Sequence, residues 1–78
     1  MDTIGKLQDI FREVFDDKDL VITRETSSDD IEGWDSLAQI SIIAACEYEY
    51  GIKFNLNDVA KVICVGDIVE IIEGKIIR

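Results

Sequence analysis

Residues 36–51 read SLAQISIIAACEYEYG, and how this run folds decides the architecture. Fifteen residues without proline or internal glycine exceed an ordinary strand, and Gly51 closes them as a left-handed C-terminal cap would. The run predicts a helix from Ser36 to Tyr50. Placed at 100° per residue, its apolar side chains cover most of the circumference. Ala38, Ser41, Ala45 and Glu49 form one small or polar stripe, and Gln39 and Glu47 are isolated polar breaks. A helix apolar nearly all round packs against neighbours on more than one side, so this one is expected at the centre of a bundle.

Upstream, Ile4, Leu7, Ile10, Phe11, Val14 and Phe15 recur at spacings of three and four, the mark of an amphipathic helix. Asp2 or Thr3 would cap it, and the pattern lapses at Asp16 to Asp19. Residues 17–35 then form a long connection rich in turn residues. Leu20, Val21 and Ile22 are candidates to tuck inward, with Ile31 and Trp34 as anchors. Downstream, Asn57 to Ile63 predicts a short third helix capped by Asn57. A last helix, capped by Asp67 with Val65 as a preceding staple, should end at Gly74. The runs VIT and KVICV are β-branched but short, and no hairpin turn joins them. The expected fold is all-α: four helices, the third one short, with a long first loop, forming one domain over residues 1–78.

Composition removes many functions. The chain has no histidine, which rules out His-based triads and zinc sites built on imidazole. Cys46 and Cys64 lie in apolar runs without Cys-x-x-Cys spacing and are read as buried structural thiols. A calcium loop beginning at Asp16 would place Lys18 and Leu20 at ligand positions, so no calcium loop is expected there. The formal charge is −9, and residues 1–35 hold 11 acidic and 4 basic residues, a net of −7. Such a field repels nucleic acid and anionic membranes and attracts basic protein surfaces, although solubility alone also accounts for it. No apolar stretch reaches the ~18 residues of a membrane span, and no signal pattern opens the chain. A soluble, cytoplasmic monomer is the expectation.

Asp35 and Ser36 are both good N-caps, and local physics alone makes them a plain helix start. Ser36 has no histidine or nearby lysine to act as a base, so it is not an autonomous nucleophile and no catalytic residue is expected. As the substrate of another enzyme, however, a serine here is well placed. Free backbone N–H groups and the positive dipole end would favour a phosphodiester at that point.

GWDSL (residues 33–37), the helix SLAQISIIAACEYEYGIKF and the closing VGDIVEII together resemble the acyl carrier proteins, over almost the whole chain. The resemblance implies that Ser36 carries a 4'-phosphopantetheine arm. A phosphopantetheinyl transferase would attach it from coenzyme A, using a Mg2+ that belongs to the transferase, so the resemblance implies no metal site in this chain. The terminal thiol would then hold an acyl group as a thioester. It also implies partner recognition along the second helix and the start of the third, at Asp35, Leu37, Glu47 and Asp58, by acyl-loading and acyl-using enzymes with basic docking patches. Ala38 and Ser41 stand where the family commonly has acidic residues. This departure fits a carrier dedicated to a polyketide, nonribosomal peptide or polysaccharide pathway better than general fatty acid synthesis. A D-alanyl or other aminoacyl carrier shares the same serine, and a helical interaction module that carries nothing is the reading from a different class.

Overall fold

A computed structural model describes residues 3–76. It contains four helices in order: α1 (Thr3–Val14), α2 (Ser36–Tyr50), α3 (Leu56–Lys61) and α4 (Val65–Ile76). No strand forms among the described residues. Of the two β-branched runs only KVICV takes part in a bridge, an isolated antiparallel one between Cys64 and Ser27 of the first loop.

Helix α1 turns Leu7 and Phe11 wholly into the core, as its periodicity requires. It stops where Asp16 enters the left-handed region at φ 52°, with the Asp17 N–H donating to the Arg12 carbonyl at 2.9 Å. This is the six-to-one bond of a Schellman ending, a position that glycine usually fills. Asp2 lies outside the described residues.

The long first loop is bonded along much of its length. Arg12 Nε donates to the Leu20 carbonyl at 2.7 Å, and the Ile22 N–H donates to Gln8 Oε1 at 3.0 Å. Ile22 and Ile31 are buried, and Trp34 meets Phe11 edge-on with ring centroids 5.1 Å apart. Val21 is exposed instead of tucked in, while Leu20 and Ile22 on either side of it pack inward.

The loop also sets where α4 begins. The N–H groups of Val65 and Gly66 donate to the carbonyls of Thr26 and Arg24, each at 2.8 Å. With orphan donors satisfied from outside, the helix starts at Val65, two residues before the expected cap. Asp67 sits inside the first turn and reaches back to accept from the N–H groups of Ile63 (2.9 Å) and Cys64 (3.3 Å). A Cβ on Gly66 would lie 3.0 Å from the Arg24 carbonyl oxygen, so glycine permits the close approach. Gly74 does not end α4, which continues to Ile76.

Helix α3 buries no side chain, and six residues are far too few for a helix to persist in water unaided. Polar contacts hold it. Its cap is Asn55, not Asn57: the Asp58 N–H donates to Asn55 Oδ1 at 2.7 Å and the Asn55 N–H donates to Asp58 Oδ2 at 3.1 Å. Asp58 also pairs with Lys75 of α4 at 3.0 Å.

Helix α2 begins and ends as its sequence predicts, with Asp35 as N-cap and Gly51 at φ 65°. Ile42 and Cys46 are fully buried against a core that includes Leu7, Phe11, Ile68 and Ile72. The opposite face corrects the expectation of a helix covered nearly all round. Leu37, Ile40 and Tyr48 are 73%, 63% and 89% exposed and follow one another on one side, with Ala44 between. The solvent face of α2 is thus largely apolar, and it lies beside the small-residue stripe, not on it.

Candidate functional site

Ser36 is the first residue of α2 and is exposed. Asp35 positions it: its backbone is extended while Oδ1 accepts from the Ala38 N–H at 2.9 Å. Among the described residues, the Ser36 hydroxyl has no hydrogen-bond partner, and the N–H groups of Ser36 and Leu37 have no acceptor. A free hydroxyl therefore stands beside two free donors at the positive end of a fifteen-residue helix.

The hydroxyl opens onto a groove of about 310 Å³. Ser28, Trp34 and Asp35 line it from the first loop, Gln39 from α2, and Val62 and Ile63 from the connection between α3 and α4. The loop-to-α4 bonds described above hold these walls together. Trp34 serves twice, since its ring packs on Phe11 and its indole N–H donates to Gln39 Oε1 at 2.7 Å.

The four candidate recognition residues divide into two kinds. Asp35 and Leu37 flank Ser36 and are exposed. Glu47 and Asp58 are engaged within the chain. Glu47 Oε2 accepts from the Phe54 N–H at 2.8 Å, which fixes the turn leading to α3, and Asp58 completes the α3 cap. The Asn55 N–H bond, then the Lys75 ammonium, hold the Asp58 carboxyl below its usual value. Glu49, further along α2, pairs with Lys6 at 3.0 Å. The carboxylates on α2 are thus all committed to contacts within the chain.

Gln39 and Glu47, the two polar breaks in the apolar helix, each accept a hydrogen bond from outside α2. That interruption was the available signal for Gln39 as a groove residue. Val62, Ile63 and Ser28 carried no comparable mark. Of the two free thiols, Cys46 is buried, and burial followed by the nearby Glu47 charge pushes it up to about 12. Cys64 is half-buried, less enclosed than its apolar run suggested. No group of residues that could hold a metal occurs among those described.

The family described as "Phosphopantetheine attachment site" matches residues 5–72 of this chain. Among solved structures, the chain is similar to a holo acyl carrier protein from Geobacter metallireducens determined by solution NMR. The identity is 45%, the TM-score is 0.88, and the match covers 96% of this chain and 86% of that one. No curated protein matches. The chain belongs to the phosphopantetheine-attachment family. Within it, this is an acyl carrier: a protein that bears a covalent phosphopantetheine and has no catalytic activity of its own. A phosphopantetheinyl transferase and acyl-handling enzymes are the partners that membership implies. No helix among the described residues is long and apolar enough to cross a membrane.

Proposed function

We propose that Ser36 is the attachment residue and that residues 1–78 form one carrier domain that acts as a monomer in the cytoplasm. The observation that carries this reading is the unpartnered, exposed Ser36 hydroxyl at the start of α2, opening onto a groove. In the transfer, Ser36 Oγ bonds to the pantetheine-side phosphorus of coenzyme A. The phosphoanhydride bond breaks, adenosine 3',5'-bisphosphate leaves, and the hydroxyl proton passes to the transferase. The free N–H groups of Ser36 and Leu37 and the dipole of α2 favour the resulting phosphodiester anion. Once attached, the arm supplies a thiol that carries an acyl group as a thioester.

Docking follows from the same surface. The acidic first segment steers enzymes with basic patches toward Ser36, and the exposed Leu37, Ile40 and Tyr48 supply the contact that holds them. The absence of acidic side chains at Ala38 and Ser41 supports service in a specialised biosynthetic pathway, with partners unlike those of general fatty acid synthesis.

The test is intact mass after incubation with coenzyme A, Mg2+ and a broad-specificity phosphopantetheinyl transferase. Wild type is expected to gain one phosphopantetheine and Ser36→Ala none. A folded wild type that stays unmodified with several transferases, or an alanine variant that is still modified, overturns the assignment.

A further inference from the structure

The groove beside Ser36 has one wall whose chemistry is set by a single hydrogen bond. An indole N–H only donates, so the Gln39 atom facing Trp34 at 2.7 Å is the carbonyl Oε1; the reversed amide would set donor against donor. The two Nε2 protons of Gln39 therefore point away from the indole, and they have no acceptor among the described residues. Trp34 cannot easily turn to release the amide, because its ring is set edge-on, at 84°, against the fully buried Phe11. Gln39 follows Ser36 by three residues, which puts the two on the same side of α2. Val62 and Ile63, the latter 72% exposed, line the same groove.

A groove lined by an amide with free donor protons and by branched aliphatic side chains suits a ligand that carries both acceptor oxygens and methyl groups. The phosphopantetheine arm has this make-up: phosphate and amide oxygens, and a dimethyl-substituted carbon close to the phosphate. We propose that Gln39, oriented by Trp34, is a positioning residue for the arm. Its amide donates to an acceptor oxygen of the arm, while Val62 and Ile63 receive the dimethyl group. The proposal rests on Ser36 being the attachment residue. An acidic residue at position 39 would still accept from Trp34 but would offer no donor and would repel the phosphodiester.

Wild type and Gln39→Glu, each loaded from coenzyme A by a phosphopantetheinyl transferase and checked by intact mass, are to be compared by NMR in apo and holo forms. The expected result is nuclear Overhauser contacts from the arm's dimethyl protons to Val62 and Ile63 in holo wild type. Exchange of the Gln39 side-chain amide protons with water should slow at least severalfold on loading, while Gln8, whose Oε1 accepts from Ile22, is unchanged. Gln39→Glu should load and fold but lose those contacts. A loaded wild type without them, unchanged Gln39 exchange, or contacts undiminished in a folded Gln39→Glu overturns the proposal. If Gln39→Glu fails to fold, the apo and holo wild-type comparison decides alone. Absence of any mass gain refutes instead the assignment of Ser36, and the proposal with it.

Discussion

Alkaline pH should destabilise this domain through Cys46. Burial pushes the thiol up to about 12 from its ordinary value of 9.0. A raised pKa means that the folded state keeps its proton where the unfolded chain has released it. The stability associated with the neutral thiol is therefore complete below pH 9 and is lost as pH rises toward 12. Linkage sets the rate of loss at about 1.4 kcal/mol per pH unit, so roughly 2–3 kcal/mol is gone by pH 11. A domain of this length holds on the order of 4–12 kcal/mol, so the loss is a large fraction. The Cys46→Ala variant removes the contribution of every other group by comparison. Urea unfolding of both proteins at pH 8, 9, 10 and 11, each referred to its own pH 8 value, isolates the thiol. The wild-type curve should fall below the variant's by about 1 kcal/mol at pH 10 and more at pH 11. Parallel curves would refute the account, meaning that the folded thiol ionises as readily as the unfolded one.

Three further outcomes are expected. Asp16→Gly should stabilise the protein by about 1 kcal/mol in urea or thermal unfolding, because it removes a left-handed backbone from a residue with a Cβ; a loss of stability would show that the Asp16 side chain contributes more than its backbone costs. In transferase kinetics, Ile40→Ser should raise the KM for the carrier about tenfold, on the order of the 1.4 kcal/mol that partial burial of an isoleucine contributes. Raising salt from low to moderate should change the same KM only a few-fold. A steep salt dependence with an unaffected Ile40→Ser would assign docking to charge instead.

Much of this was legible in the residues, for reasons that differ by position. The limits of α2 were readable because a cap and a C-terminal glycine act within one helical turn, and Asp35 and Gly51 behave as their types predict. The same local logic misplaced the α3 cap. Asn55 and Asn57 are equally good caps by residue type, and only the reciprocal bond with Asp58 distinguishes Asn55. Asp67 and Gly74 misled for the opposite reason. The bonds that start α4 come from Thr26 and Arg24, some forty residues away in the chain, and Gly74 is tolerated within the last turns of the helix.

The sequence by itself determined that four helices form, where α1 and α2 lie, and that Ser36 stands at the head of the longest one. Hydrophobic spacing and capping residues carry that information locally. Only the tertiary structure decided which side of the uniformly apolar α2 meets the core and which is left as the Leu37, Ile40 and Tyr48 face, since a helix apolar all round has no preferred orientation of its own. It also decided that Glu47 and Asp58 bond within the chain and that Gln39 faces the indole of Trp34. Those pairings depend on segments meeting in space, and residue type states only that a donor or acceptor is available.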